Sequence, residues 1–111
     1  MSTEKLEKSV WQSYFDQVSK TLEGKLAEIE VNSLALGSVN QAEWVPIMGI
    51  TYDKKNDLIE VLLEGLDHMI RKPREVFVEQ NGVALVSVEI IDEDNVAQII
   101  KLRDPIMLPS P

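Results

Sequence analysis

The clearest alternation of apolar and polar residues lies between Ile47 and Glu64, in the stretch IMGITYDKKNDLIEVLLE. Successive side chains of a strand point to opposite faces, so this alternation places Ile50 and Tyr52 on one face of the first strand. It places Ile59, Val61 and Leu63 on one face of the return strand. Between the two runs, residues 53–57 are rich in Asp and Asn, which favour turns. Leu58 and Leu62 make the second face of the return strand partly apolar, which is typical of a strand inside a sheet. We therefore predict a β-hairpin at the centre of the fold.

Near the N-terminus the apolar residues follow helical spacing instead: Val10, Trp11, Tyr14, Phe15, Val18 and Leu22. Ser9 and Gln12 have the form of a capping box, and Gly24 is a natural residue to end the helix. Leu6 continues the same stripe, which would allow the helix to begin earlier. The pattern predicts an amphipathic helix that packs on a sheet, and we expect residues 1–8 to be frayed.

Strand patterns account for most of the remaining chain. Strands are predicted over residues 27–31, 75–79, 84–90 and 96–102, with Ala84, Val86, Val88 and Ile90 sharing one apolar face. Asn81-Gly82 favours a tight hairpin turn. Residues 32–41 are expected to form a loop or a short irregular strand, and residues 66–71 one helical turn before Pro73. Residues 104–111 are predicted to form an extended Pro-rich tail.

These elements predict one α+β domain spanning residues 1–111. In this arrangement the N-terminal amphipathic helix packs on a curved antiparallel sheet, or partly closed barrel, of five to six strands.

Charge and composition exclude several classes of function. The chain has 19 acidic and 11 basic residues and a net charge of −8, so we expect neither nucleic acid nor a membrane surface as a partner. Arg71, Lys72 and Arg74 form its basic cluster, which is typical of a solvated turn. With no cysteine, the chain forms no disulfide and has no thiolate metal site. The polar N-terminus and the short apolar runs lead us to expect a soluble, cytoplasmic protein.

Short motifs spread over nearly the whole chain point to a family. They are Trp11 with Tyr14-Phe15-Asp16, Gly24-Lys25, Trp44-Val45-Pro46, Gly49-Ile50-Thr51-Tyr52-Asp53, Asp67-His68-Met69-Ile70 and Asp104-Pro105-Ile106-Met107-Leu108-Pro109. Together they resemble a family of small bacterial proteins known only as a domain of unknown function, family 5335. That family commonly has a proline after the Asp of the central turn, where this chain has Lys54. The resemblance implies a free-standing bacterial domain and no particular activity, substrate or catalytic residue.

Few residues could carry chemistry. His68 is the only histidine and follows Asp67, but neighbours on a helical turn do not face each other, and no serine can be assigned as a partner nucleophile. We therefore assign no catalytic residue. The acidic turns at residues 53–57 and 92–95 lack the ligand number and the glycine of a calcium loop, so we predict no metal ion and no cofactor.

Two hypotheses of function follow. The first is a binding or assembly module without catalytic activity, which would contact a protein partner or a second copy of itself through an apolar sheet face or through the C-terminal tail. The alternative is a small-molecule-binding or enzymatic pocket between helix and sheet, with His68 at its mouth and with an aromatic lining of Trp11, Tyr14, Trp44 and Tyr52.

Overall fold

Antiparallel strands dominate the computed structural model, which describes residues 2–35 and 37–107. Over these residues eight strands form one sheet: β1 Ser2–Lys5, β2 Leu26–Ser33, β3 Gly37–Asp53, β4 Leu58–Leu63, β5 Leu66–Arg71, β6 Pro73–Asn81, β7 Ala84–Asp92 and β8 Ala97–Met107. Their order in the sheet is β1-β6-β7-β8-β2-β3-β4-β5. A 3₁₀ turn, Lys8–Val10, leads into the α-helix α1, Trp11–Ser19.

The predicted fold class is therefore wrong in its proportions. The sheet has eight strands where five to six were expected, and the helix is shorter than the stretch from Ser9 to Gly24. The sheet does not close into a barrel, because β1 and β5 stand at its two ends. Both end strands were missed because neither shows a period-two alternation of apolar and polar residues.

The long strand β3 divides the sheet into two parts. Its first half pairs with β2, and its second half, from Ile47 to Asp53, pairs with β4. We call β1-β6-β7-β8-β2-β3 the main sheet and the second half of β3 with β4 and β5 the small sheet. Helix α1 packs along β3.

The core lies between the helix and the inward faces of both parts of the sheet. The predicted hairpin is confirmed: its five alternating apolar residues are all buried, and Leu58 and Leu62 on the second face of β4 are half-buried. The helix contributes Trp11, Phe15 and Val18, each at most 2% exposed. Such filling by side chains in contact is the main source of stability in a domain of this size.

The turn between β3 and β4 forms as its composition predicted. One carboxylate oxygen of Asp53 accepts hydrogen bonds from the backbone N–H groups of Lys55 and Asn56, at 3.0 and 3.3 Å. The other accepts from the Asn56 side chain at 2.7 Å. The hydrogen bonds from Asn56 are the main cause of a lowered pKa of Asp53.

Several local predictions fail, each for an identifiable reason. Residues 66–71 form strand β5 and not a helical turn, because they pair with β4 along their whole length. Of the two alternatives for residues 32–41, the strand is found and the loop is not for residues 37–41, which belong to β3 because pairing with β2 orders a stretch that carries little hydrophobic pattern. A bulge in β7 between Leu85 and Ser87 shifts the register, so Leu85 is buried and Val86 is half-buried, the reverse of the predicted alternation.

The two chain ends also differ from expectation. Residues 2–5, expected to fray, pair with β6 as strand β1. Strand β8 includes residues 104–107 of the predicted tail, and Ile106 is fully buried opposite Leu85. Residues 108–111 of that tail lie outside the described residues.

Candidate functional site

Trp11 and Tyr52 lie together inside the domain. Their rings meet edge to face with centroids 5.2 Å apart, and they are 1% and 4% exposed. The Trp11 indole N–H donates to the Leu6 carbonyl at 3.1 Å, and the Tyr52 hydroxyl donates to Asp57 Oδ1 at 2.8 Å. Burial and this bond to a carboxylate raise the pKa of Tyr52 to about 12. The two rings fill the interface between helix and sheet.

Tyr14 occupies the next turn of the helix and is half-buried. Its ring meets Phe15 edge to face, and its hydroxyl accepts a hydrogen bond from the Gln80 amide at 3.2 Å. Burial raises the pKa of Tyr14. Tyr14 therefore ties the helix to β6, on the side of the main sheet.

His68 points inward from β5 and belongs to a polar chain that reaches the β7–β8 turn. Its Nε2 lies 2.8 Å from Gln98 Oε1, and Gln98 Nε2 lies 3.2 Å from Asp92 Oδ2. Because the Gln98 amide donates to the carboxylate, its oxygen faces the ring, so His68 donates from Nε2. Asp67 lies on the opposite face of β5, so the two side chains do not face each other, because they are neighbours on a strand and not on the predicted helical turn.

Trp44 lies apart from the other predicted site residues, in an irregular part of β3. Two residues, Glu43 and Trp44, stand opposite Glu28 where the β2–β3 register shifts. Trp44 has a φ of 49°, a left-handed backbone angle that favours glycine. Its side chain is nevertheless 38% exposed. A bulky residue held in this conformation costs on the order of 1–3 kcal/mol.

Trp44 borders a cleft on the outer face, by which we mean the side of the main sheet that is turned away from the core. The cleft has a volume of about 460 Å³ and its other lining residues are Glu79, Val86, Ser87, Ile99, Lys101 and Leu102. A second depression of about 180 Å³ adjoins it and shares Glu79, Ser87 and Ile99. We call the larger one the Trp44 cleft. Its aromatic rim, apolar floor and few polar groups are features of binding sites.

Carboxylates dominate the charge of the outer face. Cross-strand register and alternation place five glutamates there: Glu28, Glu30, Glu75, Glu79 and Glu89. Lys101 pairs with Glu30 at 3.2 Å, and Lys5 pairs with Glu75 at 3.2 Å. Asn32 and then Lys101 lower the pKa of Glu30 through hydrogen bonds, and Lys5 lowers that of Glu75.

The other three glutamates form no salt bridge within residues 2–35 and 37–107, although Glu28 lies directly across from Lys101. Glu79 accepts a hydrogen bond from the Ser87 hydroxyl at 3.1 Å, which orients its carboxylate at the cleft. This face therefore presents negative charge beside an exposed indole.

The five residues predicted for ligand binding thus do not line one pocket. The structure brings Trp11 and Tyr52 together, with Tyr14 on the next turn, and it directs His68 toward Gln98. Trp44 lies over the outer face. A ligand pocket between helix and sheet stays a prediction.

Sequence reasoning missed the remaining residues of the Trp44 cleft. The available signal was an apolar residue on the wet face of a strand: Ile99, which lines the cleft, and Phe77, which lines the adjoining depression, alternate with buried residues and should otherwise be polar. In the described part of the chain, no helix is long and apolar enough to cross a membrane. No three metal-binding side chains among the described residues come together.

Comparison with known proteins places the chain in a family. It matches the family of unknown function DUF5335 over residues 2–111. It is also similar to an uncharacterized protein of Aquifex aeolicus (strain VF5), with 32% identity over 110 residues, which cover 98% of this chain and 99% of the relative. No solved structure matches it. The predicted family resemblance is therefore confirmed, and the chain belongs to the DUF5335 family, whose function is unknown.

Proposed function

We propose that the protein is a non-enzymatic binding module of the bacterial cytoplasm. In this proposal it holds a basic, partly apolar segment of another protein against its outer face, and Trp44 is the anchor. The observation that carries the proposal is the exposed indole beside an apolar cleft on a face rich in unpaired carboxylates.

The conformation of Trp44 supports a role in binding. Backbone strain of this kind persists where the surrounding structure holds it, and it is concentrated at functional sites. Tryptophan is also among the residues that contribute most to binding when they lie beside a desolvated pocket. Because Trp44 is 38% exposed, a ligand could cover the part of this residue that the protein leaves in contact with solvent.

The charges of the outer face define the class of partner. Glu79 lines the Trp44 cleft and Glu89 lies on the same face, and neither forms a salt bridge in the described part of the chain. A Lys or Arg side chain could contact both the Glu79 carboxylate and the Trp44 indole, which would combine an ion pair with a cation–π contact. The net charge of −8 would speed the encounter with such a partner.

Titration with designed peptides tests this proposal. Three short peptides with the same apolar residues and with either Arg, Gln or Glu between them are added to the ¹⁵N-labelled protein. We expect the Arg peptide to shift the Trp44 indole and the amides of Ser87, Ile99 and Lys101, and we expect added salt to weaken this binding. Equal binding of the three peptides, or shifts confined to another surface, would contradict the proposal.

A matched pair of variants separates binding from folding. Trp44→Gly removes the anchor and relieves the left-handed backbone, so we expect at least about a tenfold loss of affinity for the Arg peptide with little change in melting temperature. Leu34→Gly removes another exposed apolar side chain, in the β2–β3 turn, and should leave affinity unchanged.

A second pair tests the charge. Glu79→Gln should weaken binding of the Arg peptide several-fold, whereas Glu64→Gln, at the exposed β4–β5 turn, should not. If both glutamates had equal effects, only the net charge would matter and the Trp44 cleft would not be the site.

A further inference from the structure

Strand β5 has one partner in the sheet, β4, and its other edge is open in the described part of the chain. The hydrogen bonds of Ile50 show which groups of β5 point to that edge. Ile50 directs both its N–H and its carbonyl to the Ser19 hydroxyl, away from β4. Its cross-strand partner Val61 therefore directs its own groups to β5, where it faces His68.

Successive residues of a strand direct their backbone groups to opposite edges, which gives the direction of these groups along the rest of β5. His68 directs its backbone groups to β4, so Asp67, Met69 and Arg71 direct theirs to the open edge. Within the described residues, no hydrogen bond occupies these outward backbone groups. The side chains of the same three residues point away from the core and are exposed, Met69 by 48%.

These three residues on one copy of β5 are complementary in charge to the same three residues on a second, antiparallel copy. If β5 pairs with a second β5 around an axis through Met69, Met69 lies opposite Met69, and Asp67 of each copy lies opposite Arg71 of the other. Opposite charges directly across a pair of strands are favourable. Neither Asp67 nor Arg71 has a salt-bridge partner among the described residues of its own chain.

Every other register loses the direct contacts between Asp67 and Arg71, and several are unfavourable for further reasons. An axis through Asp67 would place Asp67 opposite its own copy, and an axis through Arg71 would do the same with Arg71, so like charges would face each other. An axis between two residues would place outward-directed backbone groups opposite inward-directed ones and lose the paired hydrogen bonds. Glu60, beside Met69 on β4, would be about 14 Å from its copy, which exceeds the screening length at physiological salt.

We propose that two copies of this chain associate through antiparallel pairing of β5 around an axis at Met69, so that their sheets become continuous. This arrangement satisfies the outward N–H and carbonyl groups of Asp67, Met69 and Arg71. It also neutralises both charges on each copy and covers Met69. It is independent of the partner proposed for the outer face, which lies on the main sheet.

Charge exchange provides the main test, read by sedimentation velocity over a range of protein concentrations. Asp67→Arg places Arg opposite Arg71 of the second copy, and Arg71→Asp places Asp opposite Asp67, so each variant alone should become monomeric. A mixture of the two variants restores both opposite-charge contacts and should form the dimer again. A monomeric wild-type protein at the highest concentration, or a mixture that stays monomeric, would overturn the proposal.

Crosslinking tests the axis itself, because the chain has no cysteine of its own. Directly opposed residues with paired hydrogen bonds have Cα atoms about 5.5 Å apart, a distance that a disulfide can span. Met69→Cys should therefore form a disulfide-linked dimer under mild oxidation. Val83→Cys, an exposed position in the β6–β7 turn, should not. Equal crosslinking at the two positions would reject the axis at Met69, and circular dichroism of both variants verifies that they are folded.

Discussion

The two edges of the small sheet differ in whether another element hydrogen-bonds to their backbone groups. Along the second half of β3, helix α1 takes the place of a neighbouring strand: the Ser19 hydroxyl accepts the Ile50 N–H at 3.0 Å and donates to the Ile50 carbonyl at 2.8 Å. Along β5, no element within the described residues takes that place. A single hydroxyl, which both donates and accepts, thus satisfies the backbone N–H and carbonyl of Ile50 in place of a neighbouring strand.

The difference in burial explains why only one edge needs this arrangement. Ile50 is 2% exposed, so its backbone groups would lose water without gaining a partner if Ser19 were absent. Asp67, Met69 and Arg71 are exposed, and water can satisfy their backbone groups in the single chain. Exposed edges usually carry charges that oppose association. On β5 the two charges have opposite signs and allow it.

The largest expected effect comes from the strand that both edges share. Val61 is fully buried at the middle of β4. Val61→Asp places a carboxylate in the core without a partner, which should cost about 4 kcal/mol or more and leave the domain unfolded. Circular dichroism and thermal melting measure this. Leu62→Asp, on the half-buried second face of the same strand, is the matched control and should cost less. A Val61→Asp variant that melts like the wild type would mean that the faces of β4 are reversed.

Removing Ser19 should open the closed edge. Ser19→Ala leaves both backbone groups of Ile50 without a partner, and we expect a loss of about 1–3 kcal/mol in the free energy of unfolding, measured with urea. Hydrogen exchange sharpens the comparison: the Ile50 amide should exchange faster in the variant, while the Met69 amide should not change. Ser13→Ala removes an exposed hydroxyl of the same helix and should cost about 0.5 kcal/mol or less. Equal losses for the two variants would contradict this role of Ser19.

The smallest expected loss of stability comes from removing the Tyr52 hydroxyl, near the start of helix α1. There Tyr52 of β3 contacts Trp11, and Lys8 pairs with Asp57 at 3.4 Å. Tyr52→Phe removes the hydroxyl that donates to Asp57 and should cost about 1 kcal/mol at neutral pH. The pKa of Tyr52 is raised from its ordinary value of 10.0 to about 12, so folding favours the protonated phenol. That contribution is complete below pH 10 and is lost as the pH rises toward 12.

The stability difference between the wild type and Tyr52→Phe should therefore shrink over this interval in urea titrations at successive pH values. Tyr14→Phe is the comparison: burial raises the pKa of Tyr14 too, but its hydroxyl donates to no carboxylate among the described residues, so its stability difference should shrink less. A difference that stays constant up to pH 12 would show that Tyr52 does not titrate in the folded protein as expected.

Hydrophobic alternation predicted the parts of the fold whose two faces have different environments. The β3–β4 hairpin and its inward residues are found as predicted, because Ile59 and Val61 are buried while Glu60 between them is not. Strand β5 could not be predicted in this way. Its inward side includes His68 and its outward side includes Met69, so polarity is reversed at the centre of the strand.

The candidate site was harder to predict than the core. Trp44 was among the predicted binding residues, but its left-handed φ and its position over the outer face arise from the register shift against β2, which the sequence alone does not reveal. The remaining lining residues come from β6, β7 and β8, which are distant in sequence from Trp44, and the pairing of these strands brings Glu79, Ser87 and Lys101 side by side. Similarly, the pairing of Asp67 with Arg71 of a second copy could be inferred only once the structure gave the direction of each backbone group of β5.

The position of β8 between β2 and β7 has a consequence for the order in which the domain assembles. The strands of the small sheet are neighbours in sequence, so their contacts close short loops and can form early. Strand β2 instead pairs Ala27 with Leu102, and this contact must close a loop that contains most of the chain. During synthesis β8 leaves the ribosome after the other described strands. We therefore expect β2 to keep an unpaired edge until β8 has been synthesised, and folding of the main sheet to be the slow step.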